Sequence, residues 1–207
     1  TFDKKLLLII PASRKQELKY ILPTLLEAAK LLQEKDPSIT VFIPSGLKEF
    51  DQILNNSLHE YGVSGKVIIS DEVDHLKPFL FSAAHLALAK SGTINMELAL
   101  NAVPQIVGYK VSRITAFFAR NFLNFSVEYI SPVNLLLNKM LIPEFIQEDF
   151  NAEKIFNAAL KILEDYSTKE DIIIGYKRLR DKLGKPGVTD RASKDILDLL
   201  VQWLLWL

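Results

Sequence analysis

Short aliphatic runs alternate with longer amphipathic segments through the first half of the chain, and this alternation constrains the fold more than any other feature. Continuous aliphatic runs are typical of strands buried on both faces of a parallel sheet, and apolar residues spaced three or four apart indicate crossover helices. The pattern predicts strands at residues 6–10, 40–43, 66–69, 86–89 and 105–109, and helices at 15–34, 47–61, 71–82 and 94–100. We therefore expect an α/β fold with a doubly wound, Rossmann-like parallel sheet.

The alternation stops after residue 109. Helical spacing predicts a helix over residues 112–125, and a long loop is expected over 126–144. Three further helices are expected over 152–164, 169–183 and 191–205. We expect residues 1–165 to form the Rossmann-like domain and residues 166–207 to form a helical C-terminal extension.

The composition excludes several classes of function. The 25 basic and 25 acidic residues cancel, so the positive field that drives nonspecific nucleic-acid binding is missing and no nucleic-acid partner is expected. The sequence has no Cys, which excludes disulfides, thiolate nucleophiles, zinc-thiolate sites and iron-sulfur clusters. No apolar run reaches the ~18 residues of a membrane-spanning helix, so any membrane contact is expected to be peripheral.

Two loops at the carboxyl ends of predicted strands carry residues that suit phosphate, and such ends are where ligands bind in open α/β sheets. In the first loop, Ser13 and Arg14 stand between a buried strand and a helix. Helix N-terminal amides, a hydroxyl and a guanidinium together fit a phosphate group. Taken alone, this loop is better explained by a Ser N-cap beside a solvated Arg.

The second loop consists of Lys90, Ser91, Gly92 and Thr93, again between a strand and a helix. Gly92 lets the backbone approach an anion closely, and the flanking residues add two hydroxyls and a cation. The loop matches neither GxGxxG nor the Walker sequence, so nicotinamide and ATP cradles lose support and no cofactor is expected.

Glu97 lies one helical turn after Thr93 in an otherwise apolar helix. A carboxylate in such a helix needs a partner, and the two hydroxyls of a ribose would supply one. The alternative is a Glu that stabilises the N-terminal turn, although a capping box needs a spacing of three residues. With the two phosphate loops in neighbouring turns, the ribose interpretation predicts a nucleotide diphosphate.

No metal site is expected, because the three histidines His59, His75 and His85 lack ligand spacing and no Asp-x-Asp pair is present. His85 is interpreted as a satisfied core or edge residue. The positive ends of two helices, together with Arg14 and Lys90, would then neutralise a leaving diphosphate.

Residues 111–125 combine four Phe with cations at Arg113 and Arg120, next to Lys110. As a helix, this segment would suit the surface of an anionic membrane or a lipid acceptor. Packing against the core or against a further domain explains the aromatic residues equally well.

Taken together and in order, these motifs resemble the lipid-A-disaccharide synthase family over nearly the whole chain, to about Ala192. The resemblance rests on residues 11–14 with Glu17, on residues 90–93 with Glu97, on Pro104, on residues 107–112, on Asn134 and on residues 143–148. It implies a GT-B glycosyltransferase with two Rossmann-like domains across a cleft, of which this chain is the C-terminal, donor-binding half. Such an enzyme transfers diacylglucosamine from its UDP carrier to diacylglucosamine 1-phosphate, with inversion.

The resemblance also implies roles for individual residues. Ser13 and Arg14 would contact the diphosphate of a UDP-diacylglucosamine donor, Glu97 would hold the ribose, and Ser91, Gly92 and Thr93 would line the phosphate and sugar. Lys90 and Tyr109 join this substrate-binding set, and Asn134, Gln147 and Glu148 would lie near the donor or close the cleft. No catalytic residue is expected in this chain, since the family's proposed base belongs to the N-terminal half that is missing here.

Several further expectations and alternatives follow. Ala12 stands where the family usually has Gly, which crowds the backbone near the phosphate. The partners would be the donor, a lipid acceptor and the N-terminal domain, at the cytoplasmic side of an inner membrane, or in a plastid if the host is eukaryotic. Another UDP-GlcNAc-using GT-B enzyme or epimerase, or a UDP-binding fragment without activity, remains open as an alternative.

Overall fold

A single parallel sheet organises the chain, as seen in a computed structural model that describes residues 4–12, 14–112 and 128–204. Its strands within these residues are β1 Lys5–Ile10, β2 Ile39–Pro44, β3 Gly65–Ile68, β4 Ala84–Lys90, β5 Gln105–Tyr109 and β6 Glu144–Ile146. They are arranged in the order β3-β2-β1-β4-β5-β6, and every neighbouring pair is parallel. This is the strand order of a doubly wound Rossmann-like domain, so the predicted fold class is confirmed.

The helices follow the predicted alternation closely. They are α1 Lys15–Lys35, α2 Lys48–Glu60, α3 Ser70–Ala83, α4 Ile94–Leu100, α5 Pro132–Leu137, α6 Ala152–Glu164, α7 Tyr166–Leu183 and α8 Val188–Leu204. The helix predicted over residues 112–125 falls, except for its first residue, outside the part of the chain that the structure describes.

The predicted loop over residues 126–144 is wrong in part, because it contains α5 and leads into β6. The hydroxyl of Ser131 caps α5 by accepting a hydrogen bond from the backbone N of Asn134 at 3.2 Å, with Pro132 at the first helical position. β6 has only three residues, too few for a periodic pattern to reveal a strand.

The two faces of the sheet bury separate cores, because successive side chains of a strand point to opposite faces. Leu7 and Ile9 of β1 belong to the larger core, which α1, α2 and α6 cover. Leu8, between them, belongs to the smaller core beneath α3 and α4. The uninterrupted aliphatic run in β1 is therefore required by helices on both sides.

A close contact joins β5 to the segment after β6. A Cβ atom added to Gly108 would overlap the ring of Phe150, which is almost completely buried. Only Gly lets this ring lie directly against the β5 backbone. The contact holds the start of α6 near the carboxyl end of β5.

The C-terminal helices differ in their packing. α7 contacts α4, α5 and α6, and its Ile172, Tyr176 and Leu179 are buried in the larger core. In α8, by contrast, every residue from Val188 to Trp203 is exposed. Within the described residues, no helix is both long and apolar enough to cross a membrane.

Candidate functional site

The two candidate phosphate loops begin side by side at one edge of the sheet. Ile10 of β1 is in register with Ala89 of β4, so the segments that follow both strands leave the sheet together. The chain order reverses between these two strands, and such a switch point opens the crevice in which doubly wound sheets bind ligands. Arg14 and the Lys90–Thr93 loop therefore lie at the same edge, while Ser13 is outside the described residues.

A cavity of about 250 Å³ opens beside the start of α1. It is lined by Arg14, Gln16, Glu17, Tyr20, Tyr109, Lys110, Val111 and Ser112. The structure thus brings together the predicted site residues Arg14 and Tyr109. Among the described residues, neither Arg14 nor Lys110 forms an ion pair, and both line this cavity.

The other six lining residues are not in the predicted substrate-binding set. Four of them, Glu17 and residues 110–112, belong to the motifs that carry the family resemblance, whereas Gln16 and Tyr20 belong to no motif. Glu17 and Tyr20 follow Arg14 at intervals of three residues in the sequence, which places them along one side of α1. That spacing is the signal that could have identified Tyr20. Gln16 does not share this spacing, so the sequence offers no pattern that would place it in the cavity.

Lys90 is paired within the protein. Its Nζ atom lies 2.8 Å from Oε2 of Glu17, and the two side chains are only 19% and 15% exposed. The last residue of β4 is thereby connected to the first turn of α1.

The Ser-Gly-Thr loop is also partly occupied by its own contacts. The hydroxyl of Ser91 donates a hydrogen bond to the carbonyl of Ile130 at 2.6 Å, and the N–H of Gly92 donates to Oδ1 of Asn95 at 2.7 Å. Thr93 is exposed. A Cβ atom at Gly92 would meet no atom of the described residues within 4 Å.

A buried polar network supports this loop, and sequence analysis missed it. Asn95, which bonds the Gly92 amide, donates to Oε1 of Gln105 at 2.9 Å and to the carbonyl of Lys90 at 3.3 Å. Gln105 in turn donates to the hydroxyl of Tyr176 at 3.1 Å. Burial raises the pKa of Tyr176 above its ordinary value, so the phenol stays protonated. The sequence signal that could have revealed this network is the presence of polar residues, Asn95 and Gln105, inside apolar segments.

Glu97 has a protein partner. Its Oε2 atom forms an ion pair with Nζ of Lys77 from α3, and the Glu97 side chain remains 46% exposed. The ammonium group of Lys77 also lies 5.7 Å from the centre of the Phe81 ring. The partner that a carboxylate in this apolar helix requires is thus supplied by the neighbouring helix.

Asn134 is completely buried and contacts protein groups with both ends of its amide. Its Nδ2 atom donates to Oε1 of Glu144 at 2.7 Å, and the same carboxylate accepts the backbone N–H groups of Ile130 and Ser131 at 2.6 and 2.9 Å. The carbonyl of Ile130 holds Ser91. Asn134 therefore reaches the candidate site indirectly, through the segment that supports the Ser91 hydroxyl.

Gln147 and Glu148 follow β6 and extend the site along the sheet edge. The backbone N–H of Gln147 donates to the carbonyl of Tyr109 at 3.0 Å, and its Oε1 atom accepts the N–H of Val111 at 3.0 Å. The backbone of Gln147 is in the left-handed region, with φ of 54°. Gln147 thus supports two residues that line the cavity, whereas the exposed Glu148 lies at the surface.

His85 contacts the neighbouring strand β1. Nδ1 of His85 accepts the backbone N–H of Leu6 at 3.1 Å, so this histidine of the interior strand β4 has a hydrogen-bond partner within the protein, as the sequence predicted. Across the described ranges, no three His, Asp or Glu side chains are grouped so that they could hold a metal ion.

Comparison with known proteins decides the family. The sequence model described as lipid-A-disaccharide synthetase matches residues 1–193. The chain belongs to the lipid-A-disaccharide synthase family. The resemblance identified from the motifs is thereby confirmed, and the matched residues include every predicted site residue.

Named lipid-A-disaccharide synthases are similar over almost the whole chain. The chain is 56% identical to that of Prochlorococcus marinus (strain MIT 9313) and 40% identical to that of Gloeothece citriformis (strain PCC 7424), in both cases over 196 residues. Each match covers 95% of this chain and 50% of the relative. The chain therefore spans about half the length of the curated relatives it matches.

The fold of this lipid-A-disaccharide synthase family member resembles a whole domain of known structure. The C-terminal CMP-Kdo binding domain of WaaA from Acinetobacter baumannii aligns with a TM-score of 0.57, covering 89% of this chain and 91% of that one. Sequence identity is 13%, so the likeness concerns the fold. It agrees with the expected architecture, a GT-B C-terminal domain.

Proposed function

We propose that this chain is the C-terminal, donor-binding half of a lipid-A-disaccharide synthase. The whole enzyme would transfer diacylglucosamine from UDP to diacylglucosamine 1-phosphate in lipid A biosynthesis, which makes it a hexosyltransferase. The family match over residues 1–193 carries this proposal. The cavity and the two loops at the switch point between β1 and β4 support a donor site at that place.

The diphosphate of the donor would bind between the tips of β1 and β4. Arg14 and Lys110 line the cavity there, and a guanidinium binds phosphate oxygens through two parallel N–H groups. Ser13 would join Arg14, while Ser91, Gly92 and Thr93 would line the phosphate and sugar from the β4 side. These fixed donors would stabilise the negative charge that develops on the leaving UDP.

The ribose would bind to Glu97 without displacement of Lys77. An ionised carboxylate accepts hydrogen bonds at about four lone-pair positions on two oxygens. The ion pair with Lys77 uses Oε2, so Oε1 remains for the ribose hydroxyls. The 46% exposure of the Glu97 side chain leaves room for this contact.

The residues around β6 would complete the donor side of the cleft. Asn134 would act as a support, because it is buried and holds Glu144. Gln147 would keep Tyr109 and Val111 in place at the cavity wall. Glu148 is exposed beside them and would face the opposite half of the enzyme.

The other half of the enzyme would bind the lipid acceptor and supply the general base. A base must come within about 3 Å of the hydroxyl that it deprotonates, and an acceptor bound by a facing domain would meet the donor sugar there. Residues 111–125 would contact the cytoplasmic surface of the inner membrane peripherally. Most of this segment lies outside the described residues, so its sequence alone motivates that role.

Nucleotide titration tests the proposed donor site. UDP is expected to raise the melting temperature of the purified chain in a concentration-dependent way, because a ligand that binds only the folded state stabilises it. ADP and CDP are expected to bind more weakly. A melting temperature that does not respond to millimolar UDP would contradict the proposal.

A further inference from the structure

Glu17 and Lys90 form an ion pair across the point where the strand order reverses. The Nζ to Oε2 distance is 2.8 Å, and neither side chain is more than a fifth exposed. Glu17 belongs to the first turn of α1, and Lys90 ends β4, 73 residues later. Because both charges are largely withdrawn from water, removal of either partner leaves the other poorly solvated.

The pair lies at the base of the Ser-Gly-Thr loop. Lys90 is the first residue of that loop, and its carbonyl also accepts a hydrogen bond from Asn95. The next residue, Ser91, is held by Ile130. The side chain and the backbone of Lys90 are thus both restrained, so the ion pair with Glu17 contributes to the position of the whole loop.

The cations near the site fall into two groups: Lys90, which is paired with Glu17, and Arg14 and Lys110, which line the cavity. Glu17 lines the cavity, whereas Lys90 is not among the described residues that line it. Lys90 thus contacts a residue of the cavity lining without being one of the described lining residues itself. Arg14 and Lys110 are the two cations that line the cavity within the described residues.

We propose that Glu17 is a positioning residue of the donor site that acts through Lys90. It holds Lys90 so that the Ser-Gly-Thr loop keeps a fixed distance from the start of α1, and the phosphates bind between them. Lys90 is then not itself a phosphate ligand. This inference rests on the proposed function, because it assigns the pair a role in binding the diphosphate of UDP.

Titration calorimetry of the purified chain with UDP and with uridine tests the inference. The variants are Glu17→Gln, Lys90→Met, the double variant, and Lys90→Arg, which keeps the charge. Lys5→Met/Asp36→Asn is the matched control, because Lys5 and Asp36 form an ion pair of 2.9 Å at the opposite ends of β1 and α1. Melting temperatures of all variants are recorded in parallel.

Glu17→Gln and Lys90→Met are each expected to weaken UDP binding about tenfold, the scale of coupling between contacting residues. The double variant should lose no more than either single variant, since both remove the same contact. Lys90→Arg should retain most of the affinity. Uridine, which has no phosphate, should bind all variants alike, and the control should bind UDP as the wild type does.

Three different results would overturn the positioning role of Glu17. If Lys90 binds phosphate directly, Glu17→Gln will leave UDP affinity unchanged or raise it while Lys90→Met lowers it, and the inference is overturned. Equal losses for uridine and UDP, or for the control pair, indicate general damage and overturn it as well. A wild-type chain that does not bind UDP overturns the proposed function and this inference together.

Discussion

Lys77 and Glu97 form an ion pair that joins α3 to the helix after the Ser-Gly-Thr loop. The contact uses one carboxylate oxygen of Glu97 and leaves the side chain nearly half exposed. Glu97 is thus an anion that the fold already neutralises in part. In the proposed donor site, this pairing would lower the electrostatic penalty of a carboxylate near a diphosphate, which carries the same sign of charge.

Glu97→Ala is expected to weaken UDP binding by about 1.5 to 3 kcal/mol, the scale of hydrogen bonds to a charged group. The variant should bind UDP and 2′-deoxy-UDP with similar affinity, because the ribose contact is lost. Calorimetry with both nucleotides measures this. Lys77→Met is the control and should keep the preference for UDP. Unchanged UDP binding, or unfolding of Glu97→Ala, would show that Glu97 has a structural role only.

Arg14→Met should weaken UDP binding about tenfold or more and leave uridine binding unchanged, because in the proposed site the guanidinium would bind the phosphates. Lys48→Met provides the control, since Lys48 is an exposed cation just after the neighbouring strand β2. Competition between UDP and a fluorescent analogue measures both variants. A similar loss in the two variants would mean that only the general positive charge of this edge matters.

The aromatic segment allows a test of membrane contact. Phe117→Ser/Phe118→Ser should abolish flotation of the chain with anionic liposomes, because it removes the apolar surface that such a segment inserts at the interface. Neutral liposomes should bind the wild type more weakly. Unchanged flotation of the double variant would contradict a membrane role for residues 111–125.

Gly108→Ala should lower the free energy of unfolding by about 1 to 3 kcal/mol, the usual penalty of overpacking, because the new methyl group overlaps the ring of Phe150. Gly92→Ala is the matched control, since a Cβ atom there meets no atom within 4 Å in the part of the chain that the structure describes. Urea denaturation compares the two. Equal stability of both variants would mean that Phe150 can move aside freely.

Asp36, at the C-terminal end of α1, should make the stability of the folded chain depend on pH. Hydrogen bonds from Ser38, and the ion pair with Lys5, lower the pKa of Asp36 from 3.8 to about 2. Asp36 binds a proton more readily in the unfolded chain than in the folded one. The stability that its ionised carboxylate contributes to the folded state is therefore complete above pH 3.8 and is lost as pH falls toward 2. The difference in melting temperature between wild type and Asp36→Asn should therefore be constant from pH 7 to 5 and shrink below pH 4. A constant difference down to pH 2 would contradict this.

Local patterns were sufficient for most of the architecture. The aliphatic run in β1 and the amphipathic stripe in α1 recur at intervals of two to four residues, and burial on a strand or helix imposes those same intervals. Order and spacing of short motifs then identified the family. The three residues of β6 were missed because so short a strand carries no period.

The partners of the polar residues were beyond the reach of such patterns. Lys90 was expected to face a phosphate and is paired with Glu17, 73 residues away. Asn134 was expected near the donor and is buried, with its amide used inside the protein. Which charges meet depends on the strands that lie side by side, and no local interval encodes that arrangement. The amino-acid sequence alone was therefore enough to predict the layers of this domain and the positions of its loops. Only the folded structure shows which loop side chains contact other residues of the protein, because charged groups pair according to their distance in space.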